Sequence, residues 1–475
     1  MTNSSERHPH DPPALGSAPR ILRAESIPFQ TLDQDALRVL SRLERQGFQA
    51  YLVGGCVRDL LIGRHPKDYD CATSAHPRQI KRLFRNGRII GRRFKLVHIY
   101  YGSHIIETAT FRRDPGPRDA EIETEIENET EHSIVDAEER AEAEETRLDD
   151  LLITEDNEFG TAEEDARRRD FTVNGLFLDP TKRVIIDYVG GLDDLERRVL
   201  RTIGDPASRL AEDPVRILRA IKFATRLDFR IDDATWDAMC ALAPRLSRSA
   251  PPRVLEEIMR LMRSGSALGA FRMLRACGAL AVILPAIDRY LGPKDDADAA
   301  KRAETFWRLL EALDSDVHQG YVPTSAVCIA LLYLRIIERE ADPATRELKG
   351  PAPDLTVVTA EVLEPVALAT RLPRRDVARA RRIILQQRRF TQASTKRFRP
   401  LLFMRSEEFL EALELFRLRV AARGQGWDIY EGWKERHRVS LEAPAEFVDA
   451  ERQTGRKRHR RKPGTKSRGE SKPDA

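Results

Sequence analysis

Cysteine is scarce. The five in 475 residues (Cys56, Cys71, Cys240, Cys277 and Cys328) are scattered, with no CxxC spacing and no Cys/His cluster. That excludes a disulfide framework and a structural zinc site. Long apolar runs are missing too. No stretch approaches the ~20 residues a membrane-spanning helix needs. The N-terminus lacks the apolar core of a signal peptide, so a soluble, cytoplasmic protein without a membrane partner is expected. Net charge is also small, +4.

That small total hides a lopsided distribution. From Asp119 to Asp165 there are 21 acidic and 2 basic residues, and from Glu451 to Ala475 there are 10 basic and 3 acidic. Setting both stretches aside leaves 403 residues with a net charge of +16. A body this basic suits a protein that grips a polyanion.

The stretch from Tyr51 to Asp70 reads YLVGGCVRDLLIGRHPKDYD. Tyr51–Val53 is apolar and β-prone. Gly54 and Gly55 let the backbone turn into a short helix whose first amides suit phosphate, and Arg58 in its first turn adds a bidentate donor. An extended segment follows with Asp68 and Asp70, two residues apart and therefore on one face. Crowded carboxylates repel unless a cation joins them, and Mg²⁺ favours oxygen ligands shared with phosphates. Downstream, Glu107 lies between apolar neighbours in IIETATF and offers a third carboxylate. The pattern predicts a nucleotidyltransferase with two Mg²⁺ ions, a triphosphate and an attacking hydroxyl. Asp68, Asp70 and Glu107 are its candidate metal ligands.

These segments, together with GRRFKLVHI, IIETATFRR, EDARRRDFTVNGLF, DYVGG and RLAEDPVRILRAIKFATRL, resemble bacterial poly(A) polymerases. Those enzymes belong to the polymerase-β nucleotidyltransferase superfamily and are relatives of the CCA-adding enzymes. The resemblance covers roughly residues 35–265 and thins beyond. It implies an α+β chain: a small α/β nucleotidyltransferase head, then an all-α neck, body and RNA-binding region. It also implies repeated addition of AMP from ATP to RNA 3′ ends. Arg168 and Arg169 are candidates for the triphosphate. By resemblance Asp170 is a functional acid and Asn174 lies beside the nucleotide sugar. Whether Glu107 or Asp170 is the third essential acid stays open. Asp213, Arg216 and Arg219 share one side of an amphipathic helix, and in the family a carboxylate–guanidinium pair there reads the incoming base in place of a template. Two other readings stand beside this one: CCA addition to tRNA, and a noncatalytic RNA-binding protein on a polymerase scaffold.

Along the chain, residues 1–27 read as a disordered lead, 28–195 as the head, 196–265 as a nucleotide-recognition neck and 266–447 as a helical body. The basic tail 448–475 reads as disordered and available to RNA or RNA-decay proteins. The acidic segment 119–156 reads as a mobile insertion, either a solvated linker or a competitor with RNA for the basic cleft. A capped helix is expected over Thr31–Gln46 and another starting near Thr161. Further helices are expected at Asp232–Leu242, Pro252–Met262, Ala267–Arg275, Glu304–Leu313, Thr324–Glu338, Asp376–Gln387 and Glu407–Arg423. Basic clusters at Arg371–Arg382, Gln387–Arg389 and Arg397–Arg399 suit phosphate contacts.

Overall fold

A computed structural model describes residues 18–91, 95–113, 158–293, 295–343, 353–391 and 399–442. The acidic segment, the basic tail and residues 92–94 of the GRRFKL run lie outside these. The chain divides into two compact units, Met1–Ala243 and Pro244–Ala475. That division falls inside the stretch expected as a neck.

The first unit opens with β1 (Arg20–Arg23) and α1 (Gln34–Arg45), then β2 (Ala50–Val53), α2 (Gly55–Leu61), β3 (Cys71–Thr73) and α3 (Pro77–Leu83). A β-meander of β4 (Gly87–Ile90), β5 (Leu96–Tyr101) and β6 (His104–Thr110) follows. After the undescribed segment come α4 (Ala162–Arg167), β7 (Leu176–Asp179), β8 (Val184–Asp187) and α5 (Gly191–Glu196). The unit ends with β9 (Val199–Leu200), α6 (Pro206–Glu212), α7 (Val215–Leu227), β10 (Arg230–Ile231) and α8 (Asp233–Leu242).

Eight strands form one sheet in the order β1-β8-β7-β2-β3-β6-β5-β4. Central β2 is wholly buried, as its sequence AYLV requires. Tyr51 packs between the rings of Phe111 and Phe177, with centroids 6.0 and 5.9 Å away. Helix α1 is capped by Asp33, whose carboxylate accepts from the Ala36 amide at 2.8 Å, and it buries Ala36, Val39, Leu40 and Leu43. Helix α4 starts near Thr161 as expected, and the structure adds a capping box there: Thr161 and Glu164 exchange side chain-to-amide bonds, satisfying two free helix amides. Asp187 gathers the amides of Val189, Gly190, Gly191 and Leu192 on its two oxygens, so the DYVGG glycines serve a turn. One expectation fails at the start. Arg20–Arg23 lies within the stretch read as disordered, yet it forms an edge strand antiparallel to β8. Its side chains are all exposed, so backbone pairing rather than burial holds it, which an apolar pattern does not report.

The second unit is helical in every described element: α9 (Pro251–Met262), α10 (Ala267–Ala276), α11 (Ala279–Ile283), α12 (Pro285–Leu291), α13 (Ala297–His318), α14 (Ser325–Glu340), α15 (Leu355–Thr370), α16 (Arg374–Thr391), α17 (Pro400–Met404), α18 (Phe409–Arg423) and α19 (Trp427–Glu442). Phe390, Phe403, Phe409 and Trp433 form an aromatic core, and the Trp433 indole donates to the Phe390 carbonyl at 3.0 Å. The expected helices coincide with α9, α10, part of α13, α14, α16 and α18; α11, α12, α17 and α19 lie outside them, as does α15, which carries Pro365 in its interior. Among the described residues no helix is long and apolar enough to cross a membrane.

Candidate active site

Strand directions bring the motifs together. β2 and β3 are antiparallel with Leu52 opposite Cys71, and β3 runs parallel to β6 with Cys71 opposite Thr108. Gly54, which follows β2, Asp70, which precedes β3, and Glu107 of β6 therefore stand at one edge of the sheet. The Val53 amide donates to the Asp70 carbonyl at 3.0 Å, so the ladder reaches Asp70. Asp68 and Asp70 precede the strand rather than lie within it, because the regular β3 begins at Cys71. Since β7 is antiparallel to β2, the RRDFTVN segment that leads into β7 arrives at the same edge.

Asp68 and Glu107 are exposed, whereas Asp70 is half-buried. Burial first, then the Glu107 carboxylate, push the Asp70 carboxyl up to about 6 against the pull of Arg169, and Asp68 adds to the rise. Two further carboxylates crowding the raised Asp70 carboxyl suit a hard divalent cation such as Mg²⁺. Their oxygens are not drawn into one tight group. Among the described residues the ligand atoms within 4.8 Å of one another belong to Asp33, Asp35 and His104. In that group Asp33 already caps α1, and Asp35 holds Arg38 at 2.7 Å. Glu107 is flanked across the ladder by His98, with Nε2 3.4 Å from Oε1.

The Gly54 turn is specific to glycine. Its φ is +74°, and a Cβ there would stand 2.8 Å from Arg169 Nη1. Arg169 is thus pressed against the turn, with Nε and Nη2 on Asp165 at 3.3 and 3.0 Å, and it also feels Asp70. Arg168 ends α4, and its carbonyl and that of Arg169 accept from Arg209 Nη2 at 2.7 and 3.2 Å.

Other expected residues take different posts. Arg58, expected to face phosphate, is 2% exposed. Its Nε and Nη2 lie 2.8 and 2.6 Å from Asp59 Oδ1, and its Nη1 donates to Asn174 Oδ1 at 2.5 Å. The short helix turns this side chain inward, onto Asp59 and Asn174. Asn174 donates from Nδ2 to Asp170 Oδ1 at 2.9 Å, and Arg219 grips Asp170 Oδ2 with Nε and Nη2 at 2.8 and 2.6 Å. Burial alone would raise the Asp170 carboxyl. The Arg219 guanidinium and the bonds from Asn174 and the Phe171 amide outweigh it and hold Asp170 below the usual carboxylate range. Asp170 is therefore committed to internal partners, while Glu107 is the acid beside Asp70. Asp213 receives the Val215 amide at 3.3 Å; Arg216 donates to the Arg209 carbonyl and to Glu212 at 2.7 and 3.2 Å. The helix side expected to carry Asp213, Arg216 and Arg219 is thus divided, because Arg219 serves Asp170.

In the second unit the basic clusters are partly structural. Arg382 holds Glu408 at 2.5 Å, Arg379 pairs with Glu411, and Arg381 lies 3.7 Å from Glu364. Gln387 is buried and donates to the carbonyls of Ile383 and Ala412, so it is a core residue. Residues 397 and 398 are outside the described set. Sequence reasoning missed Asp59, Asp165, Arg209, Phe223 and Arg226, which brace the site; spacing on α7 held a signal only for Arg226, seven residues after Arg219.

An acidic, partly buried edge beside a glycine turn and arginines, on a mixed sheet followed by helices, defines a nucleotidyltransferase head. Residues 50–201 match the model of the poly A polymerase head domain. Residues 228–291 match one described as a probable RNA and SrmB-binding site of polymerase A, and 349–467 match the polymerase A arginine-rich C-terminus. Poly(A) polymerase I of Salmonella typhi is 34% identical over 396 residues, 83% of this chain and 80% of that protein. Poly(A) polymerase I of Haemophilus influenzae is 40% identical over 273 residues, 57% of this chain and 56% of that protein. Among solved structures, a Bacillus stearothermophilus CCA-adding enzyme in complex with CTP superposes with a TM-score of 0.57 at 25% identity, covering 86% of this chain and 82% of that one. The chain belongs to the poly(A) polymerase family.

Proposed function

We propose that the chain is a template-independent polynucleotide adenylyltransferase that adds AMP from ATP to RNA 3′ ends. Asp68, Asp70 and Glu107 are its metal-holding carboxylates. The observation that carries this reading is the Asp70 carboxyl, pushed up to about 6 by burial and by Glu107 and Asp68 at the edge of the sheet that holds the Gly54 turn. Two Mg²⁺ ions bound there would acidify the RNA 3′-hydroxyl and neutralise the departing pyrophosphate. Gly54 and Gly55 leave room for the triphosphate, and Arg169 and Arg168 supply positive charge beside it. The 3′-oxygen attacks the α-phosphorus and the bond to pyrophosphate breaks. Asp213 and Arg216, where α7 begins, read the base. Asp170, Asn174 and Arg219 support that helix instead of touching the reacting atoms, so Glu107 is the third essential acid.

The family matches beyond the head, at 228–291 and 349–467, favour RNA tailing over CCA addition. They also support RNA binding by the helical unit. Action in mRNA processing and decay, in the cytoplasm, with decay proteins bound through the basic tail, is part of the same reading. The CCA-adding likeness keeps tRNA maturation as the alternative. Offering ATP and CTP singly, with a generic RNA and with tRNA lacking its 3′ end, separates the two. Long tails from ATP alone are expected. Ordered CTP then ATP addition that stops after three nucleotides would replace this reading, and no Mg²⁺-dependent pyrophosphate release from any combination would leave a noncatalytic RNA binder.

A further inference from the structure

Helix α7 is tied to the catalytic edge by a closed loop of side chains. One turn into the helix, Arg219 holds Asp170 Oδ2 at 2.6 Å. Asp170 Oδ1 accepts from Asn174, whose own oxygen accepts from Arg58. Arg58 then binds Asp59 Oδ1 at 2.6 Å, and Asp59 Oδ2 receives Arg226 Nη2 at 3.3 Å, returning the chain of contacts to α7 two turns further on. Phe223 lies inside the loop. The Arg58 guanidinium is 5.1 Å from its ring centroid and that of Arg219 is 5.6 Å, while Phe171 meets the ring edge-on at 5.9 Å. Arg216, Arg219, Phe223 and Arg226 are spaced so that they share one stripe of a helix.

Such a loop constrains rotation of α7 about its own axis and sliding along it. A single ion pair allows a helix to pivot; two grips, seven residues apart and joined through a buried network, do not. Asp59 has a 6% exposed side chain and is shared by two guanidiniums, so it cannot relax into water if either partner leaves. The side-chain stripe that ends in Arg226 begins at Arg216.

We propose that Asp59 and Arg226 are positioning residues for base selection: they close the loop that fixes where Arg216 and Asp213 stand relative to the catalytic edge. This rests on the reading of Asp213 and Arg216 as the base readers. Neither Asp59 nor Arg226 touches the nucleotide; both act through Arg58 and the orientation of α7.

The test compares kcat/KM for ATP and for CTP with one RNA primer, in the full-length protein. Arg226→Met should reduce the ATP-to-CTP preference about tenfold while the melting temperature stays within a few degrees. Arg226→Lys, which can still reach Asp59, should restore most of the preference. Asp59→Asn should produce a similar shift. The double variant should be no worse than the more affected single one, since both break one network. An unchanged preference in both single variants, or an equal fall for both nucleotides, would overturn the proposal. Asp213→Ala separates the two layers. If it changes preference and the Arg226 variants do not, the loop idea fails and the base-reader reading stands. If it changes nothing while Arg226→Met does, the loop stands and the reader lies elsewhere on α7.

Discussion

The head holds two acidic centres that differ in what surrounds them. At the paired centre, Asp170 and Asp59 are enclosed by Arg219, Arg58, Arg226 and Asn174. At the open centre, Asp70 is lifted to about 6, with Glu107 and Asp68 as negative neighbours and Arg169 as the opposing cation. The same residue type is therefore shifted in opposite directions. Where guanidiniums outnumber carboxylates, the acid is part of the scaffold. Where carboxylates crowd one another, charge is left that a divalent ion can satisfy.

The widest gap should appear in turnover. Asp68→Ala or Asp70→Asn should lower AMP incorporation on the order of 10³-fold or more while RNA binding persists. Near-normal incorporation by either variant would break the contrast at its open side. Next comes Asp170→Ala, which leaves Arg219 and Asn174 without their shared acceptor. It should destabilise the fold by about 3 kcal/mol in urea unfolding. A normal unfolding curve with lost turnover would move Asp170 across to the catalytic group. Its depressed carboxyl contributes stability above pH ~4, lost as pH falls further.

The smallest effect has the opposite sign. The folded Asp70 carboxyl, at about 6, lies above the ~3.9 of an unfolded aspartate. Its contribution favours folding below pH ~4 and is lost as pH rises through about 6. Without divalent ions, Asp70→Asn should therefore be more stable than the parent protein at pH 7, by on the order of 2 kcal/mol, and no different near pH 4. Melting curves in chelator across that range would test it, and added Mg²⁺ should raise the melting temperature of the parent only.

The open centre was legible because it is built from short-range patterns. A glycine pair, two aspartates two apart and an alternating strand around Glu107 each announce themselves within a few residues, as does the helix start near Thr161. The paired centre was not. Asp59 and Arg226 are 167 residues apart in sequence, and nothing local to either says that they meet. Arg58 shows the same limit: its position in a short helix was visible, but not which way the core would draw its side chain, onto Asp59 and Asn174. In the second unit, arginine density alone could not separate Arg382, which holds Glu408, from arginines left to solvent. Helix α15 escaped because an interior proline ordinarily signals an end.

The edge strand at Arg20–Arg23 bears on how this protein is handled at the bench. Composition invites trimming everything before residue 28. Doing so would strip the cover from Val184–Asp187 and leave a row of unsatisfied amides and carbonyls beside Ile185 and Ile186, a ready template for intermolecular pairing. A version begun just upstream of Arg20 should stay monodisperse on concentration, whereas one begun at Pro28 should clump.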